Sequence, residues 1–146
     1  MSEAGSPPSP EAPLRGHCLC GAVRFEVTAP FVTAGYCHCT HCQRRTGGAS
    51  SAQVRVPASG FRVVSGEDRL RAYQPEGGMP KVFCSTCGSS LFSGDRLRDD
   101  ELSVRVGVLD ATPGIEFHYR AWVDSAAPWE PIPDDGVPRY GGRRPG

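Results

Sequence analysis

Seven cysteines stand at positions 18, 20, 37, 39, 42, 84 and 87. Cys18-Leu19-Cys20-Gly21 is a C-x-C-G hook, and Cys84-Ser85-Thr86-Cys87-Gly88 is a C-x-x-C-G hook. Two thiolates this close in sequence can reach one ion from a single turn. The glycine after each pair permits a backbone conformation closed to bulkier residues, which frees N–H groups to point at sulfur. A structural zinc site is closed by four ligands, usually as two pairs. Cys18, Cys20, Cys84 and Cys87 would supply them and staple the N-terminal strand to the middle of the chain. Disulfides or plain buried thiols are the alternative. The odd cysteine count speaks against a disulfide framework, as does a start with no basic or apolar leader segment. A soluble, cytoplasmic protein is the expectation.

Cys37-His38-Cys39-Thr40-His41-Cys42 is a different arrangement. Three thiolates within six residues can clasp one face of a second zinc and leave its fourth position open to water or substrate, as in a catalytic site. His38 or His41 could instead close the site, or the cluster could be a metal-free redox set. Beside it, Arg44 and Arg45 could fork the carboxylates of a ligand or simply form a solvated turn. His118, Trp122 and Trp129 read as ordinary structural residues, the tryptophans as core or lid.

The elements that position these groups are short strands. Residues 22–28, 51–56 and 115–121 alternate apolar and polar with period two, as do residues 102–108, the clearest case. Residues 61–65, 70–73, 81–83 and 90–92 are shorter runs of the same kind. Gly- and Pro-bearing turns separate them. A turn or two of helix is expected only at residues 41–45. Residues 127–133 carry too many prolines for a central strand and should pack across the sheet. Residues 1–13 read as a disordered tail, 14–140 as one domain and 141–146 as a frayed end.

Composition bounds the rest. With 146 residues, one domain is expected. Lys and Arg together equal Asp and Glu at 16 each, so the basic footprint of a nucleic-acid binder is missing. No apolar run is long enough to span a membrane. Lys81 is the one lysine. We ascribe the arginine bias to genomic base composition.

The motifs from Gly16 through Phe25, from Cys37 through Gly47 and from Phe83 through Ser89 resemble those of the glutathione-dependent formaldehyde-activating enzyme family, which includes centromere protein V-like proteins. The ending Pro128-Trp129-Glu130-Pro131-Ile132-Pro133 is similar to its C-terminal segment. The likeness covers about residues 14–140. It implies a mainly β, single-domain β-tent fold with two zinc ions. The structural zinc would fall on Cys18, Cys20, Cys84 and Cys87, and the catalytic zinc on Cys37, Cys39 and Cys42. The implied activity is that of a carbon–sulfur lyase on a small thiol adduct such as S-hydroxymethylglutathione, with no nucleic-acid or membrane partner. The alternative is a non-enzymatic zinc-binding interaction or chaperone-like module. A methionine sulfoxide reductase is set aside, because that class needs a late nucleophilic cysteine and none follows Cys87.

Overall fold

A computed structural model describes residues 5–145. Ten strands form two sheets: β1 (Leu14–His17), β2 (Arg24–Val27), β3 (Thr33–Cys37), β4 (Ser51–Pro57), β5 (Phe61–Ser65), β6 (Leu70–Tyr73), β7 (Lys81–Cys84), β8 (Ser90–Ser93), β9 (Glu101–Arg105) and β10 (Tyr119–Ala121). The α-helix among the described residues is α1 (Thr40–Thr46). The smaller sheet has the order β1-β2-β5, and the larger β10-β3-β4-β9-β8-β7-β6. The fold is thus mainly β, as expected. Named strand pairs are antiparallel except β10 with β3, which run parallel.

Alternation explains the centre of the large sheet. In β4, Val54 and Val56 are fully buried while Arg55 between them is exposed. Aromatic rings join the two sheets. Phe25 of β2 lies 5.0 Å from Phe61 of β5, and Phe61 lies 5.0 Å from Phe92 of β8. Leu91, Leu102, Val82 and Val104 fill the space around them, and the sulfurs of Cys18 and Cys84 belong to the same buried cluster. Fully burying each such side chain contributes roughly 1.5–3 kcal/mol.

Three expected strands are shorter than their patterns, the first being residues 22–28, of which β2 keeps Arg24–Val27. After Arg105 the chain turns into a 3-10 segment, Val106–Val108, although Val106 and Val108 still pack on the core. Residues 115–118 lie outside β10, whose register with β3 covers Tyr119, Arg120 and Ala121, although His118 N–H still donates to Ala34 C=O of β3 at 3.0 Å. Ile115 and Phe117 reach the core from irregular backbone. β1 and β3 were not foreseen as strands.

Residues near both ends of the described chain make tertiary contacts. Pro8 is buried, and Gly5 sits so close to Thr112 that a side chain there would collide with it. Near the C-terminus, Trp122 N–H donates to Gly142 C=O and Asp124 N–H to Gly141 C=O, at 2.9 and 3.2 Å. The expected tail residues 1–4 and the last residue, Gly146, lie outside the described residues. Trp129 is 67% exposed, so it is not a core residue.

Candidate metal centres and groove

Both sulfur groups assemble. The Sγ atoms of Cys18, Cys20, Cys84 and Cys87 all lie within 4.8 Å of one another, and so do those of Cys37, Cys39 and Cys42. All seven cysteines are free. Cys18 and Cys20 bring their sulfurs to 3.6 Å, and Cys20 and Cys84 to 3.9 Å. A disulfide bond is about 2.05 Å. Four thiolates on a tetrahedral zinc with bonds of about 2.3 Å stand about 3.8 Å apart. The sulfur spacing therefore suits a shared metal ion and not a covalent bridge.

The four-sulfur group is built by two hooks. Cys18 follows β1 and Cys84 ends β7, so the group joins the small sheet to the large one. Gly21 and Gly88 both take left-handed backbone, with φ of 78° and 79°. The first hook turns Val23 N–H toward Cys18 Sγ at 3.3 Å. Ser89 holds the hooks together: its hydroxyl accepts from Leu19 N–H at 2.9 Å, and its carbonyl from Cys84 N–H at 3.0 Å. The same hydroxyl leads in lowering the Cys87 thiol to about 5.

The three-sulfur group sits where β3 meets α1. Cys37 ends β3, paired with Ser51 of β4 and Ala121 of β10. Cys39 is the N-cap of α1, and its sulfur accepts from Cys42 N–H at 3.3 Å. The helix stops at Gly47 with φ of 70°, and a backbone bond from Gly47 N–H to Gln43 C=O closes its end. Gln43 fixes it from outside, since its side-chain amide donates to the carbonyls of His38 and Ser125, both at 2.9 Å. The Cys42 thiol is brought down to about 4, led by the S–H of Cys37 and aided by Cys39 and the charge of Arg45, against the opposing effect of burial. Cys37 is pushed far up by that same bond and by burial. One negative charge shared among three close sulfurs is a donor set suited to a cation.

The histidines separate. His38 is 5% exposed and turns away, its Nε2 lying 3.3 Å from Arg120 Nη1. Burial first, then the charges of Arg120 and Arg139, holds it below the usual histidine range. Arg120 is itself bound to Asp135 at 2.9 Å and lies over the Tyr36 ring. His41 lines the groove described next. Neither histidine belongs to the three-sulfur group among the described residues.

A groove of about 780 Å³ opens beside Cys39 and Cys42. Arg44 and Arg45 line it. Arg45 donates to Cys42 Sγ at 3.6 Å and to Ser90 Oγ at 3.2 Å. Lys81 of β7 and Ser90 of β8, which the sequence reading missed, also line the groove, and Arg105 Nε donates to Ser90 Oγ at 3.3 Å. Lys81 was visible only as the chain's single lysine. Arg105 was hidden by its place in an apolar alternation.

A family model described as glutathione-dependent formaldehyde-activating enzyme matches residues 13–125. The chain is 35% identical over 85 residues to a curated Halomonas elongata protein named "Putative glutathione-dependent formaldehyde-activating enzyme", covering 54% of each. The chain thus spans about half the length of that relative. A crystal structure of a Rhodobacter sphaeroides protein is similar at a TM-score of 0.53 and 31% identity, over 86% of this chain and 98% of that one.

Proposed function

This chain belongs to the glutathione-dependent formaldehyde-activating enzyme family, and on that premise we propose that it is a zinc-dependent carbon–sulfur lyase of β-tent fold acting on S-hydroxymethylglutathione or a close thiol adduct. Cys18, Cys20, Cys84 and Cys87 hold a structural zinc, and Cys37, Cys39 and Cys42 hold the catalytic one. The observation that carries this reading is that two of the three clustered sulfurs border a groove lined by Arg44, Arg45 and Lys81. A site of three cysteines leaves room for a fourth sulfur, and the groove supplies its approach.

Zinc at this site would supply a Lewis acid that favours the ionised form of a ligand sulfur. In the cleavage direction, the adduct's hydroxyl loses its proton, the C–O bond becomes a carbonyl, and the C–S electron pair returns to sulfur. Formaldehyde and the thiolate are the products. In the other direction sulfur attacks the carbonyl carbon and the oxygen takes a proton. Arg45 beside Cys42 offsets the negative charge gathered on the sulfurs. His41 lines the groove and offers an imidazole to carry the proton. α1 fixes both residues relative to Cys42.

Metal analysis of the purified protein should find two zinc ions per chain. Glutathione titrated into it should release a proton as the thiol ionises, counted by calorimetry in two buffers of different ionisation enthalpy. No binding by glutathione or simple thiols to the fully loaded protein would sink the lyase reading.

A further inference from the structure

Beside α1, the groove is lined by two donor side chains from the large sheet, Lys81 of β7 and Ser90 of β8. Ser90 Oγ accepts from Arg45 Nη1 at 3.2 Å and from Arg105 Nε at 3.3 Å. A hydroxyl has two acceptor sites and one proton. Both acceptor sites are taken, so the remaining capacity of Ser90 is to donate. Lys81 lines the same groove, is half-buried, and forms no ion pair with a described residue.

Arg105 adjoins Ser90, 6% exposed and without a carboxylate partner among the described residues. Its donors go to Ser90, Gln53 Oε1, the Ser103 carbonyl and Ser93 Oγ. That set fixes the guanidinium and leaves its charge uncompensated. Burial, then the charge of Arg45, lowers Arg105 to about 9. Burial, then Arg105 and Arg45, lowers Lys81 as well. A zinc held by three thiolates would bring a single net negative charge, and among the described residues Glu76 is the one carboxylate lining the groove. Set against Arg44, Arg45, Lys81 and Arg105, these leave two positive charges with no partner.

We infer that Lys81, Ser90 and Arg45 form a carboxylate-binding subsite, backed by Arg105 through Ser90, and that Lys81 selects thiol adducts carrying a free carboxylate over neutral ones. A carboxylate accepts from all three donors at once and matches the surplus charge. Arg105 is a positioning residue, since it reaches the ligand only through Ser90. The inference rests on the groove being the ligand site of the proposed lyase and narrows its substrates to carboxylate-bearing thiols.

The test uses zinc-loaded protein and three probes: glutathione, S-methylglutathione and the diethyl ester of S-methylglutathione. S-methylglutathione keeps both carboxylates but cannot ionise at sulfur, so it reads the subsite apart from the thiol chemistry. Wild-type protein should bind S-methylglutathione about tenfold more tightly than its ester. Lys81→Met should erase most of that ratio, Lys81→Arg should keep it, and ester binding should be the same in all three. Equal binding of the two probes by wild-type protein, or a ratio unchanged in Lys81→Met, overturns the subsite. Should Lys81→Met fail to fold, the wild-type comparison decides alone. Proton release by glutathione with a Lys81-independent ratio would retain the lyase reading and remove the subsite. Lys81-dependent binding of S-methylglutathione without proton release by glutathione would do the reverse.

Discussion

Cys20 and Cys84, 64 residues apart in sequence, bring their sulfurs to 3.9 Å. No backbone hydrogen bond joins the strand that leads into Cys18 to the strand that ends in Cys84, which lie in different sheets. The sulfur group is therefore a tie between sheets, and metal binding there is also folding energy.

Cys84→Ser should lose that metal and the cooperative fold together. Cys84 is fully buried, and a change that removes a closed metal site costs on the order of 4 kcal/mol or more. Thermal melting with a metal assay checks this. Wild-type melting with full zinc content would refute the structural assignment.

Cys39→Ser should behave differently. Cys37, Cys39 and Cys42 close only a small loop, so a metal there constrains little chain. Serine is a good N-cap and can accept from Cys42 N–H as the sulfur does. One zinc equivalent should go, with the β-sheet spectrum intact and a stability loss of about 1 kcal/mol or less. Cys39→Ala should lose the same metal and about 1 kcal/mol more, because the cap goes too. Global unfolding of Cys39→Ser would reverse the two assignments.

Arg45→Ala should weaken thiol-ligand binding more than Arg44→Ala does. Arg45 touches both Cys42 Sγ and Ser90 Oγ, whereas Arg44 only lines the groove. A difference of about 1 kcal/mol is expected, shrinking at high salt. Calorimetry with glutathione at two ionic strengths measures it.

Glu26 sets a pH dependence away from the metal. Its carboxylate takes Arg62 and Arg15, which hold it below the usual glutamate range, Arg62 contributing most. A carboxyl lowered on folding stabilises the protein above its unfolded value of 4.5, and that contribution fades as pH falls through the folded value. Glu26→Gln should flatten the stability curve below about pH 5 relative to wild type and lower it at neutral pH. Denaturant melts from pH 3 to 7 check both.

The two sulfur groups were legible in the sequence because cysteine spacing is local within each hook. Five strands, β4 through β8, fell within a residue of their patterns for a similar reason. β1 and β3 did not, and each carries a glycine in its middle. In both, the glycine faces an aromatic ring on its paired strand: Gly16 meets Phe25, and Gly35 meets Tyr119. A Cβ at either would come within 2.2 Å of the ring. The aromatic neighbour supplies the packing that the glycine lacks, and a one-strand pattern cannot show it. The subsite proposed for Lys81 and Ser90 was illegible for a kindred reason, since it combines residues of α1, β7, β8 and β9.

Gly35→Ala follows directly. The added methyl would displace Tyr119 and cost roughly 1–3 kcal/mol as overpacking. It should also disturb the metal at Cys37, two residues on. Stability and zinc content measured together test this. An unchanged melt would mean that the Tyr119 ring is free to move aside.

The parallel pairing of β10 with β3 has a consequence for synthesis. β3 is made early, but the strand that covers its outer side comes more than 80 residues later. Until Tyr119, Arg120 and Ala121 have left the ribosome, the segment ending in Cys37 presents a bare row of peptide groups to any neighbouring nascent chain. A chain released before residue 119 should therefore aggregate through this edge, even with both sulfur groups already made.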